Sequence, residues 1–109
     1  MPITAKVDVY SFGILLLELL CCRKNYENES EMVLADWAYD CYTEGTLGAL
    51  LAGDEVALDD FGRFEKFVKT AIWCVQEDPA LRPQMKRVLH MLEGSVEVPA
   101  PPDPTSFVN

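Results

Sequence analysis

The side chains best suited to metal or redox chemistry are four cysteines and one histidine. They are Cys21, Cys22, Cys41, Cys74 and His90. A structural zinc site usually draws its ligands from closely spaced pairs such as Cys-x-x-Cys, and no two of these cysteines have that spacing. Each cysteine lies in an apolar, helix-like pattern, which favours buried and reduced thiols. The sequence therefore predicts no metal site in this chain.

Acidic side chains are the second concentrated chemical feature. The 109 residues include 18 Asp and Glu against 9 Lys and Arg, a formal charge of −9. Residues 27–60 hold ten of the acids and no Lys or Arg. This stretch is either a surface for a basic peptide substrate or the solvated face of amphipathic helices, and we favour the second because the acids mostly avoid apolar positions. The charge argues against a nucleic-acid binder and against direct contact with an anionic membrane.

Apolar periodicity predicts an all-α fold of about four main helices. The first helix, about residues 5–22, follows Thr4 as N-cap and contains FGILLLELL, which is apolar on nearly every face and so needs neighbours on all sides. Gly13 within it costs roughly 1 kcal/mol relative to alanine. We therefore expect another backbone or side chain to approach closely at Gly13. The apolar run is shorter than the ~20 residues that a bilayer span requires.

Three further helices are predicted from apolar spacing. The second, capped by Ser30 and ended by Gly45, has its apolar face at Leu34, Trp37, Ala38, Cys41 and Tyr42. The third, capped by Asp59 or Asp60 and ended at Asp78-Pro79, has its apolar face at Phe64, Phe67, Val68, Ala71, Ile72 and Val75. The fourth, with Pro83 as first residue and Gly94 as its stop, has its apolar face at Met85, Val88, Leu89 and Leu92.

The last segment, residues 95–109, differs in composition from the rest of the chain. It carries four prolines in fifteen residues. Such a composition favours an extended backbone without a core of its own. We therefore predict a helical domain over residues 1–94 and an extended, largely unpacked tail over residues 95–109.

Two segments, in this order, resemble signature blocks of the protein kinase fold. KVDVYSFGILLLELL, residues 6–20, resembles helix F, the central buried helix of the large lobe, and WCVQEDPALRPQM, residues 73–85, resembles the last signature block. With DWAYDC and VEVPAPPDP, the similarity narrows to plant receptor-like serine/threonine kinases, and within them to G-type lectin S-receptor-like kinases. It covers nearly the whole chain and implies that residues 1–94 are the C-terminal helical part of the large lobe.

The resemblance assigns structural roles to a few side chains. The positions are Asp8, Gly13, Glu18, Asp78 and Arg82. In the family, the acid matching Asp8 accepts hydrogen bonds from the catalytic loop, and the acid matching Glu18 lies near the peptide-substrate cleft. The arginine matching Arg82 pairs with the glutamate of an Ala-Pro-Glu motif and so clamps the activation segment. From the residues alone, Asp8 could instead be a first-turn acid favoured by the helix dipole, and Arg82 a solvated loop residue. For Glu18 we favour the alternative that it has no role at the substrate cleft.

The groups that transfer phosphoryl in kinases have no counterpart in this chain. The sequence contains no Gly-x-Gly-x-x-Gly loop, no His-Arg-Asp loop and no Ala-Pro-Glu. Asp60-Phe61-Gly62 spells the magnesium-binding tripeptide of kinases, but it follows the helix F-like segment, whereas in the family it precedes that helix. We interpret it as a loop and N-cap. The sequence thus predicts no catalytic, cofactor-binding or metal-binding residue; ATP and magnesium are implied only for a full-length parent.

The resemblance leads to two hypotheses of function. In the first, the chain is a fragment of a receptor-like serine/threonine kinase that supports the catalytic loop and substrate side but is inert alone. Its parent would be a single-pass plasma-membrane protein, with this part on the cytoplasmic side. In the second, the chain is a free-standing module that docks on a kinase or another partner through helix F. The partner is accordingly the missing N-terminal kinase segments or another kinase chain.

Both hypotheses have a consequence for stability. Without its neighbours, helix F would leave roughly 300–500 Å² of apolar surface in water and forgo on the order of 10 kcal/mol. Typical domains are stable by only ~5–15 kcal/mol. We therefore expect the isolated chain to be marginal, molten or self-associating, and Arg82, without its carboxylate, to rearrange or turn to solvent.

Overall fold

The computed structural model describes residues 3–21, 31–45 and 61–105. Within these ranges the chain forms α1 (Ile3–Cys21), α2 (Glu31–Glu44), α3 (Phe61–Cys74) and α4 (Met85–Glu93), with a 3₁₀ turn at Pro79–Leu81 and no strand. The all-α prediction is therefore confirmed. The predictions for Cys22, Ser30, residues 47–51, Asp59 and Asp60 lie outside the described residues.

Helix α3 is the centre of the fold because it contacts α1, α2 and α4, while α1 also contacts α2. The predicted apolar face of α3 is buried at Phe64, Val68, Ala71 and Ile72, with Phe67 partly exposed. The helix ends at Cys74, before the predicted stop at Asp78-Pro79, and Val75 is buried just beyond it. Side chains of α1 and α2 pack against both sides of this face. The spacing of apolar residues on α3 therefore determines where the other helices lie.

Helix α2 presents the face that its sequence predicts. Leu34, Ala38 and Cys41 are buried, and Ala35 joins them. Its end is also as predicted, since Gly45 has a φ of 74°, a left-handed conformation that glycine adopts without steric cost.

The close approach predicted at Gly13 is confirmed. A Cβ atom built on Gly13 would lie 2.6 Å from Cys74 Cβ, 2.8 Å from Val75 Cγ1 and 3.1 Å from the carbonyl oxygen of Ala71. The first two distances are shorter than Cβ atoms in proteins adopt, and the third is tight. Glycine is therefore the residue that lets α1 lie directly against the C-terminal end of α3.

Three details of the helix boundaries and faces differ from the prediction. Helix α1 begins at Ile3, so Thr4 lies in its first turn and is not the N-cap. Helix α4 begins at Met85 with Gln84 as N-cap, so Pro83 precedes the helix. Leu89 is 52% exposed. A nine-residue helix packed on one side buries only one strip, and in α4 that strip is completed by Met91.

The prediction that the tail is largely unpacked is wrong over its described length. Residues 97–103 form no helix or strand, yet Val98 and Pro104 are buried. The amide N–H of Glu77 donates to the carbonyl oxygen of Pro104 at 3.0 Å. The tail therefore completes the packing of the helices over its described length. The division of the chain at residue 94 into a domain and a tail stays a prediction.

Candidate functional site

Arg82 connects the segment that follows α3 to the start of α1. Its Nε donates to the carbonyl oxygen of Gln76 at 2.7 Å, its Nη1 to that of Lys6 at 3.2 Å and its Nη2 to that of Glu77 at 3.3 Å. The guanidinium carbon lies 4.8 Å from the centre of the Tyr10 ring. Hydrogen bonds and a cation–π contact thus hold the planar group against the start of α1.

The side chain of Lys6 in turn donates hydrogen bonds to the segment that contains Arg82. The Lys6 ammonium donates to the carbonyl oxygen of Arg82 at 2.5 Å and to that of Pro79 at 3.2 Å. Asp78 shapes the turn between these acceptors, because its carboxylate accepts the amide N–H of Ala80 at 3.0 Å and so caps the 3₁₀ turn. We call this set of Lys6, Tyr10, Asp78 and Arg82 the arginine anchor.

The expectation that Arg82 would turn to solvent without its carboxylate is therefore wrong. Backbone carbonyls, which carry partial negative charge, take the place of an acidic partner within the described residues. Burial lowers the pKa of Arg82, while Tyr10 and Asp78 partly oppose this effect. An arginine stays charged at neutral pH even so, because its ordinary pKa is far above neutrality.

Asp8 and Glu18 lie on a different part of α1. At about 100° per residue, they share one side of the helix with Val7, Ser11, Leu15 and Leu19. Asp8 is exposed and Glu18 half-buried. Of the apolar members, Val7 is 52% exposed, Leu15 53% and Leu19 69%. We call these six positions the outer face of α1; the structure does not bring them together with the arginine anchor.

As the sequence predicts, part of the apolar segment of α1 faces solvent, at Leu15 and Leu19. The opposite side of α1 is buried at Val9, Ile14 and Leu17. Among the described helices, none has the length and apolar character needed to cross a membrane. Val7, Leu15 and Leu19 form an exposed apolar strip on the outer face, beside Asp8 and Glu18.

Three cavities lined by described residues have volumes of about 220, 230 and 260 Å³. Pockets for nucleotides and other small ligands usually measure about 300–1,000 Å³. In the part of the chain that the structure describes, no three His, Cys, Asp or Glu side chains are placed to hold a metal ion.

Cys74 is the buried thiol nearest to the anchor. Burial raises the pKa of Cys74 to about 12, and Arg82 only partly offsets this. We expect iodoacetamide to alkylate Cys74 at pH 8 at least a hundred times more slowly in the folded chain than in urea, because the thiolate is the reacting form. Between pH 7 and 9 the folded-state rate should rise about tenfold per pH unit. Mass spectrometry of the peptide containing Cys74 measures both rates; equal rates with and without urea would contradict the prediction.

Asp36 on α2 carries an unfavourable charge. Its pKa is raised mainly by burial and then by the charges of Asp103, Asp40 and Glu77. A folded state that holds this proton more tightly than the unfolded state loses stability as the pH rises above the ordinary Asp pKa of about 3.9. We expect Asp36→Asn to raise the urea midpoint at pH 7 and to match the unmodified chain at pH 3. Glu97→Gln, which removes an exposed charge, is the control; a lower midpoint at pH 7 for Asp36→Asn would refute the prediction.

Sequence reasoning did not find two residues that make long-range hydrogen bonds in the structure. Lys6 was predicted only as part of a kinase-like segment, and Gln76 was not singled out. Gln76 is 1% exposed and donates from its side-chain amide to Ile72 and Pro102. A polar residue directly after the apolar face of α3, followed by a proline-rich segment with many carbonyl acceptors, was the available signal.

Comparisons with known proteins identify relatives of the whole chain. The chain is 50% identical over 111 residues to the G-type lectin S-receptor-like serine/threonine-protein kinase LECRK2 of Oryza sativa subsp. indica, covering 98% of this chain and 14% of that kinase. It is 47% identical over 106 residues to the kinase RLK1 of the same type from Arabidopsis thaliana, covering 97% of this chain and 13% of that protein. The resemblance predicted from the two signature segments is therefore confirmed.

The coverage limits what these relatives say about the chain. The chain spans only 13–14% of the length of the curated relatives named above. No protein-family model matches it, and no solved structure matches it. The relatives are plant receptor-like serine/threonine kinases, and the activity of such whole proteins can only be proposed for a part of them.

Proposed function

We propose that this chain is the C-terminal helical part of the large lobe of a receptor-like serine/threonine kinase, with α1 as helix F. In this role it supports the catalytic loop and the substrate side and supplies no catalytic group itself. The outer face of α1 is the observation that carries the proposal. A helix whose other side is buried, and which exposes Leu15 and Leu19, is suited to be covered by further polypeptide.

The acids on the outer face fit the same role. Asp8 is exposed beside the apolar strip, where backbone N–H groups of an arriving loop could donate to its carboxylate. An acid that is buried on assembly needs such donors, since an unpaired buried charge is costly. Glu18 lies on the same face, toward the other end of the helix, where the proposal puts the substrate side.

The arginine anchor supports the proposal by a count of donors. A guanidinium has five N–H groups, and three are used on carbonyl oxygens of the described residues. The remaining Nη hydrogens can receive a carboxylate in a fixed orientation. We propose that the glutamate of an Ala-Pro-Glu motif, on a segment that precedes α1 in the parent, is this partner.

ATP and magnesium belong to the proposed parent and not to residues of this chain. We assign no magnesium site to Asp60-Phe61-Gly62, because the kinase tripeptide precedes helix F, whereas this one follows α1. We place the nucleotide and metal ligands in the segments that precede α1. The parent's kinase part would lie on the cytoplasmic side of the plasma membrane.

A basic peptide substrate near residues 27–60 is a further part of the proposal. The described portion of that stretch is α2, on which Asp40 and Glu44 are exposed. Their positions agree equally with a solvated helix face. The proposal of a basic substrate rests on the charge of residues 27–60 as a whole, ten acids with no Lys or Arg.

The test is reassembly of a split kinase. The kinase segment that precedes the matched region of the rice relative is expressed separately and mixed with this chain, with ATP and magnesium added. We expect binding in a pull-down and phosphoryl transfer in the mixture, and no transfer by either part alone. Leu15→Asp should abolish both, whereas Leu89→Asp, an equally exposed leucine on α4, should preserve them.

The outcomes separate the two hypotheses. ATP turnover by this chain alone would overturn the proposal, and so would equal loss for the two leucine variants. Binding to an intact kinase, sensitive to Leu15→Asp, with no binding to the upstream segment, would favour the free-standing docking module instead. Recovery of the chain only as aggregate unless the upstream segment is present would favour the lobe fragment.

A further inference from the structure

Residues 98–104 cross the C-terminal end of α3 with a repeat of three. Val98, Pro101 and Pro104 are buried, whereas residues 99–100 are exposed. Three residues per turn is the period of the polyproline II helix, which rises about 3.1 Å per residue. The buried side chains of the tail therefore recur with the period of a polyproline II helix.

The helices meet this segment with hydrogen-bond donors. The indole N–H of Trp73 donates to the carbonyl oxygen of Pro99 at 2.9 Å. Three residues later along the tail, Pro102 accepts from the side-chain amide of Gln76, also at 2.9 Å. These two acceptors are three residues apart, as the buried side chains of the tail are, and the third acceptor, the carbonyl oxygen of Pro104, follows two residues later.

The side chain of Gln76 uses both of its N–H groups in hydrogen bonds, one of them to the tail. It is 1% exposed, and its side-chain Nε2 also donates to the carbonyl oxygen of Ile72 at 3.1 Å. The two N–H groups of the amide are thus matched by two acceptors, one from α3 and one from the tail. Without Pro102 a buried N–H would lose its partner, which is costly.

Proline suits the tail to be recognised in this way. A proline residue has no backbone N–H but keeps a carbonyl oxygen, and its fixed φ reduces the entropy lost when the segment is ordered. Peptides of this kind are bound elsewhere by aromatic grooves whose side chains donate to proline carbonyls. Trp73, with an indole donor beside a buried amide, offers the same chemistry.

We propose that Trp73, Gln76 and the backbone N–H of Glu77 form a polyproline groove. This groove binds peptides of the sequence pattern Val-Pro-x-Pro-Pro-x-Pro. The chain fills this groove with its own residues 98–104, which act as a ligand in cis. The groove is independent of the outer face of α1, and it does not depend on kinase function.

The experiment converts the cis ligand into a free one. A protease site is inserted between Ser95 and Val96 of the full chain, which is folded and then cleaved, and the tail piece is dialysed away. The probe is a fluorescein-labelled peptide of residues 96–105, followed by fluorescence anisotropy. The controls are a peptide of reversed sequence, which keeps the composition but moves every carbonyl, and the uncleaved chain, whose own tail competes at high effective concentration.

We expect saturable binding to the cleaved chain, at least tenfold tighter than that of the reversed peptide or that of the uncleaved chain. Gln76→Ala should weaken binding at least tenfold, and Trp73→Phe, which keeps an aromatic ring but loses the donor, several-fold. Gln84→Ala, at an exposed glutamine, should bind as the unmodified chain does. Equal binding of forward and reversed peptides would overturn the proposal.

Loss of the tail could also unfold the helices, and that case has its own readout. If the cleaved chain loses its circular dichroism signal at 222 nm, addition of the forward peptide should restore it and the reversed peptide should not. Failure of the forward peptide to restore the signal would overturn the proposal.

Discussion

Gly13→Ala is expected to destabilise the folded chain by about 2 kcal/mol, although alanine is the better helix former by roughly 1 kcal/mol. The added Cβ would lie 2.6 Å from Cys74 Cβ and 3.1 Å from the carbonyl oxygen of Ala71. Neither atom is the end of a flexible side chain, so α1 and α3 would have to move apart. Gly13→Val should leave the chain unfolded at 25 °C.

The chain offers a matched control for this substitution. Gly62, also in a helix, has no atom within 4 Å of the position of an added Cβ. Gly62→Ala should therefore leave the stability unchanged or raise it by up to about 1 kcal/mol. Urea unfolding followed by circular dichroism at 222 nm measures all of these variants. A Gly13→Ala chain as stable as Gly62→Ala would show that α1 does not pack on α3 as described.

Arg82→Ala should cost about 3 kcal/mol, the second large effect. The substitution removes three hydrogen bonds from a charged donor and the contact with the Tyr10 ring. Hydrogen bonds to charged groups contribute about 1.5–3 kcal/mol each, but here water can replace some of them because the site is only half-buried. Arg82→Lys should recover less than half of the loss, since an ammonium cannot reach three carbonyls in one plane.

The control for charge is Arg87, an exposed arginine on α4. Arg87→Ala should change the unfolding free energy by less than about 0.5 kcal/mol, as surface substitutions usually do. Thermal unfolding and urea titration give the comparison. If Arg82→Ala and Arg87→Ala had the same small effect, the arginine anchor would contribute nothing to folding, and its proposed role in orienting a carboxylate would lose its support.

Where packing follows from a local repeat, the sequence predicted the fold well. The buried faces of α2 and α3 follow from apolar residues three and four apart, and the left-handed ends at Gly45 and Gly94 follow from glycine's freedom at positive φ. Gly13 was predicted as a contact because a glycine in a helix costs stability unless something lies against it. The partner, at Cys74 and Val75, could not be predicted, since nothing local specifies it.

Contacts between distant residues account for the wrong predictions. Arg82 was expected to rearrange or turn to solvent because this sequence lacks the Ala-Pro-Glu carboxylate with which the resemblance pairs it. Its acceptors, at Lys6, Gln76 and Glu77, are backbone oxygens, which no sequence pattern marks. The tail was expected to be unpacked because proline-rich composition is typical of linkers. Its burial repeats every third residue, at Val98, Pro101 and Pro104, a period that the search for helices and strands did not consider.

The bonds between residues 6 and 82 have a consequence for synthesis on the ribosome. Their partners are separated by 76 positions, and the surface of α3 that covers Gly13 is also translated some sixty residues after it. At roughly 5–20 residues per second, α1 would wait about 3–12 s for its cover. During that interval the apolar residues of α1 are exposed on the nascent chain. We therefore expect chaperones that bind exposed apolar segments to engage α1 co-translationally.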